Sequence, residues 1–195
     1  MQPPPGQFLA SIPRIAEVFN LEIHASMESI GIQAEYIRNG INWNRFESNV
    51  REILSSGLEF EFGFQMAINA LNIPHLTDFL MWAKELHDTY QRPIALKQNV
   101  VSYPEWQSPL ILTSDFADRL DETIAWLMKV SGGMMVVNDE WGKWTRYPGF
   151  LNGIATGIRN SQPNLLIRRK FYEWFSAYDH RRKLDFLETF PHHAE

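Results

Sequence analysis

Two stretches of the chain alternate apolar and polar residues with a period of two, and the segments around them repeat every three to four positions. In 21–26, Leu21, Ile23 and Ala25 fall on one face and Glu22, His24 and Ser26 on the other, which predicts a strand. Alternation is plainest around Leu58 to Asn69, where Leu58, Phe60, Phe62, Phe64, Met66 and Ile68 interleave with Glu59, Glu61, Gly63, Gln65, Ala67 and Asn69. A third strand is predicted over 94–101. Helices are predicted over 8–19, 30–38, 43–54 with Gly57 as its stop, 75–90, 114–128, 149–159 and 163–180.

This order of strands and helices argues for parallel strands joined by crossover helices in one α/β sheet. A doubly wound sheet buries both faces, so its strands read as nearly continuous apolar runs. Here the alternate face carries Glu22, His24, Ser26, Glu59, Glu61, Gln65 and Asn69, which fits the polar lumen of a partial (β/α) barrel better. A ligand in such a fold sits at the carboxyl ends of the strands, where Ser26, Asn69 and Asn99 fall. The expected organisation is a disordered proline-rich tail over 1–6, a half barrel over 7–130, and a linker with a helical C-terminal region over 131–195.

Composition narrows the function. Of the 195 residues, 45% are apolar and 21% charged, an ordinary globular balance. A formal charge of −5 lacks the basic footprint of a nucleic-acid-binding protein. No apolar run is long enough to span a bilayer and the start lacks the layout of a signal peptide, so a cytoplasmic location is expected. The six histidines show no metal-binding spacing, and His192 and His193 fall in what reads as a frayed tail. The chain has no cysteine, so it supplies neither a disulfide nor a thiolate ligand.

Taken alone, Ser26 and Glu28 read as an N-cap and first-turn acid of the following helix, and Arg38 as a solvated cation. His24 reads as a hydrogen-bonded histidine, and Glu59 with Glu61 as structural lumen residues. The basic runs 168–170 and 181–183 read as a solvated helix face.

Four separated segments nevertheless occur in a familiar order. SMESIGIQAEYIRNGINWNRFESNVREIL resembles the fourth strand and following helix of radical S-adenosylmethionine (SAM) proteins of the twitch-domain type, which show Ser-x-Asp-Gly-x-Gly and then Glu-Tyr-x-Arg. FQMAINALNIPHLTDFLMWA resembles their fifth strand and helix, IALKQNVVSYPEW their sixth strand, and YDHRRKLDFLETFP their Phe-Leu-Glu-x-Phe-Pro ending. The resemblance covers roughly residues 15 to 130 and 165 to 191.

It implies a partial barrel in which a [4Fe-4S] cluster reductively cleaves SAM to a 5′-deoxyadenosyl radical that modifies a peptide or small-molecule substrate. By position, Ser26 and Arg38 would help hold SAM, Glu28 and Ser29 stand where the family has Asp and Gly, and Asn69, Asn72 and Asn99 fall near the nucleoside. The family's CxxxCxxC loop has no counterpart here, so the resemblance implies a C-terminal part whose cluster-bearing N-terminal half comes from elsewhere, such as another chain. The alternative is a cluster-free interaction or scaffold protein derived from this barrel, binding a peptide or partner chain through the open edge beside residues 21–26.

Overall fold

The computed structural model describes residues 21–131, 147–162 and 164–194. The expected tail over 1–6, the helix over 8–19 and most of the linker between 131 and 148 lie outside the described residues.

The three predicted strands form one parallel sheet, in the order β1 (Glu22–Ser26), β2 (Glu61–Ile68), β3 (Ile94–Val100). Its register sets His24 beside Gly63 and Gly63 beside Ala95, with Ser26, Gln65 and Lys97 one step further along. The period of two does the rest. Phe62, Phe64, Met66 and Ile68 are all buried on one face, whereas Glu22, Ser26, Gln65, Lys97 and Asn99 are exposed on the other.

The glycine in the middle of β2 has a steric cause. A Cβ on Gly63 would lie 2.6 Å from the Ala95 carbonyl oxygen, 2.8 Å from the Ala95 Cβ and 3.0 Å from His24 Nδ1. Without a side chain there, His24 and Ala95 close over the strand from both sides.

Between β1 and β2 run α1 (Gly31–Ile37) and α2 (Trp43–Ser55); α3 (Leu76–Tyr90) joins β2 to β3. The Asn42 Oδ1 caps α2 by accepting from the Arg45 N–H, and Gly57, at φ +71°, ends it in the left-handed conformation that glycine adopts without strain. Rings from these helices pack on the apolar face: Phe64 lies 5.2 Å from both Phe79 and Trp82, and Trp82 lies 5.0 Å from Trp43. Offset and edge-on aromatic pairs of this kind contribute about 1 kcal/mol each beyond their buried area.

After β3 come α4 (Ser114–Ser131), α5 (Tyr147–Asn160), α6 (Leu165–Arg182) and α7 (Phe186–Thr189). α5 packs along α4 and buries Tyr147, whose hydroxyl reaches Met66 Sδ at 3.6 Å. Among the described residues, no helix is long and apolar enough to cross a membrane.

Through His193 the C-terminal segment is packed and not frayed. Lys183 turns the chain back in a left-handed conformation, and Asp179 then accepts from the Tyr36 hydroxyl and the Phe186 N–H, each at 2.7 Å. The Tyr178 hydroxyl donates to the Tyr36 carbonyl at 2.9 Å. Phe175, Phe186 and Phe190 surround the Tyr36 ring, so α1 and the C-terminal hook are one packed unit. His193, expected in a loose tail, is 6% exposed because Phe116, Phe171 and Phe186 enclose its ring.

Candidate functional site

The carboxyl ends of β1 and β2 are built from buried polar groups. Glu28 does not act as a first-turn acid, and α1 has Ile30 at its N-cap without a side-chain cap. Instead its carboxylate, 3% exposed, accepts from Arg38 Nε at 3.1 Å and Arg38 Nη2 at 2.5 Å. Burial pushes the Glu28 carboxyl up, and the Arg38 guanidinium and the Ala67 N–H offset part of that rise. The bidentate fork spans ten residues and ties the loop after β1 to the end of α1. Arg38 is thus a clamp on the β1 loop, with Nη1 left outside the pair.

Asn69 and Asn72 shape the loop after β2. Asn72 is fully buried; its Oδ1 accepts from the Asn69 N–H at 3.0 Å and its Nδ2 donates to the Ala67 carbonyl at 2.7 Å. Asn69 donates to the same carbonyl at 3.0 Å and accepts from the Leu71 N–H at 2.8 Å. Both amides are taken up by the turn, an arrangement in which short polar side chains replace backbone partners.

Ser26 and Asn99 differ from these four. Both are exposed on the polar face at the strand ends, and the register brings Gln65 between Ser26 and Lys97. Toward the other end of that face, His24 Nε2 lies 3.0 Å from Glu22 Oε2, and Lys97 reaches back to within 3.3 Å of the same oxygen. The side-chain contact with His24, followed by the Lys97 ammonium, holds the Glu22 carboxyl below the usual carboxylate range.

A cavity of about 140 Å³ opens beside the strand ends, between the Asn69–Leu71 turn and α6. Asn69, Gln107 and the rings of Tyr36, Trp174 and Tyr178 are among the groups that line it. A cavity of roughly 150 Å³ holds a benzene-sized molecule, so this one admits a ring and not a whole nucleoside cofactor. Comparison with protein families, curated proteins and solved structures finds no match.

Sequence spacing places Ser26, Asn69 and Asn99 near the strand ends, and the structure puts them there. It also pairs Glu28 with Arg38, which local pattern could not reveal. The residues missed are those contributed by distant chain: the α6 aromatics, Gln107, Lys97 against Glu22, and the packed His75, His192 and His193. Among the described residues, no three His, Asp or Glu side chains are placed to hold a metal ion.

Proposed function

We propose that this chain is the C-terminal half barrel of a radical SAM, twitch-type enzyme, working with a cluster-bearing N-terminal half. The observation that carries the reading is the sheet itself, three parallel strands with helices on an apolar face and a polar face left exposed, bearing Ser26 and Asn99 at the carboxyl ends. In a closed barrel such a face lines the lumen.

The residues present do not fit an iron–sulfur cluster, because the chain has no cysteine. They fit SAM only in part. Ser26 and Asn99 are free to hydrogen-bond a nucleoside, while Glu28, Asn69 and Asn72 are committed to internal bonds and Arg38 to Glu28. In this reading the chain contributes one wall of the site, and the Glu28–Arg38 clamp sets the position of Ser26.

The test is reconstitution. The chain is combined anaerobically with a CxxxCxxC-bearing segment encoded upstream or in a neighbouring gene, and 5′-deoxyadenosine release from SAM is measured. Release that needs both parts and falls at least about tenfold with Ser26→Ala supports the proposal. The absence of any such coding segment, or release that is independent of this chain, overturns it.

A further inference from the structure

A second cavity lies away from the strand ends, between the start of α4, the first turns of α6 and the C-terminal hook. It measures about 200 Å³ and is larger than the one at the strand ends. Its walls are apolar and aromatic, with Leu112, Phe116, Phe171 and Tyr172 among them, and three of its other lining groups are Arg168, His192 and His193. Among the described residues, no carboxylate lines it.

Two of those polar groups are held in place, and Arg168 is left with donor capacity. Arg168 Nε donates to the Ile111 carbonyl at 2.7 Å, which fixes the guanidinium plane. Its two terminal nitrogens have no carboxylate partner among the described residues. The His193 ring is enclosed by Phe116 and Phe171, and its Nε2 is buried without a hydrogen-bond partner among the described residues.

A buried imidazole nitrogen without a partner is rare, because its lost hydration is not replaced. Beside it, His192 Nδ1 lies 3.0 Å from Arg119 Nη2. Arginine can only donate, so Nδ1 accepts and a neutral His192 carries its proton on Nε2. Arg168 and a neutral His192 therefore give the polar side of the cavity its donors, and its other side is made of rings.

We infer that this cavity binds a small monocarboxylate with an apolar or aromatic body, its carboxylate taken end-on by Arg168, its body lying against Phe116, Phe171, Tyr172 and the His193 ring. A guanidinium fork matches the two oxygens of a carboxylate. The volume admits a single substituted ring, since roughly 150 Å³ already accommodates benzene. The site does not depend on the reading of the polar sheet face.

Benzoate is the probe, followed by aromatic NMR spectra of the intact chain, with benzamide as the uncharged analogue of the same shape. Saturable shifts at the His193 and Phe116 rings are expected, with benzamide at least about tenfold weaker. Arg168→Gln is expected to weaken benzoate by a similar factor.

Because Arg168 also holds the Ile111 carbonyl, Thr113→Trp serves as a second variant. Thr113 is exposed at the cavity wall, so a larger side chain fills the space without touching the core, and it should block binding with the spectrum otherwise unchanged. Shifts that fail to saturate, equal binding of benzamide, or benzoate binding that survives Thr113→Trp would each overturn the assignment.

Discussion

Acidification should loosen the C-terminal hook through His193. Its ring is 6% exposed, and burial, followed by the neighbouring His75, lowers the imidazole from the ordinary value near 6.5 to about 4. The unfolded chain takes a proton near pH 6.5, whereas the folded chain takes it only near pH 4. Stability from the neutral ring is thus complete above about pH 6.5, declines as pH falls, and is lost below about pH 4. At about 1.4 kcal/mol per unit, the full loss is about 3 kcal/mol, and about 2 kcal/mol of it has gone by pH 5.

His75 is also lowered by burial and adds a loss of the same sign, so a single pH profile does not isolate His193. The comparison is between wild type and His193→Phe, each unfolded in urea at about pH 7.5 and about pH 5. Phenylalanine keeps a ring against Phe116 and Phe171 and removes the titrating group. The wild type should lose about 2 kcal/mol more than the variant over this interval. Equal losses would refute the argument, and a larger loss in the variant would refute its sign.

Two further changes test the sheet and the loop clamp. Gly63→Ala forces a Cβ to 2.6 Å from the Ala95 carbonyl and should destabilise the domain by about 3 kcal/mol in urea unfolding; a cost below about 1 kcal/mol would mean β2 and β3 can separate freely. Arg38→Met strands the buried Glu28 carboxylate and should cost about 3 kcal/mol, most of it recovered by adding Glu28→Gln. Additive single costs in that double-mutant cycle would show that the two groups are not coupled.

How far the sequence carries depends on whether an interaction is periodic or distant. The period-two faces of β1 and β2 follow from alternation and the parallel order from the intervening helices, and the structure bears out an α/β fold with a three-stranded parallel sheet. The ends are less readable. β2 stops at Ile68 and not at Asn69, because the Asn69 side chain bonds Ala67 and Leu71 and turns the chain out of the ladder. Ser26-x-Glu28 has the spacing of a helix start, yet Glu28 bonds Arg38 because the loop folds its carboxylate beneath the end of α1. His193 reads as tail because nothing near it in sequence announces Phe116 or Phe171, which enclose it from two other helices.

These placements narrow what the polar sheet face can offer. Of the six side chains that spacing and resemblance put forward, Glu28, Asn69 and Asn72 are bound within the fold and Arg38 is held by one of them. Ser26 and Asn99 remain on the face, joined by Gln65 and Lys97 through the register. All four sit on strands, so the sheet fixes their backbone positions, and a ligand there meets an ordered row of hydroxyl, amide and ammonium groups. A row on one open surface encloses nothing, and water competes for each of its hydrogen bonds. A specific ligand on this face therefore needs a second wall. The same need follows from the barrel geometry in which a polar, strand-ordered surface becomes a lumen.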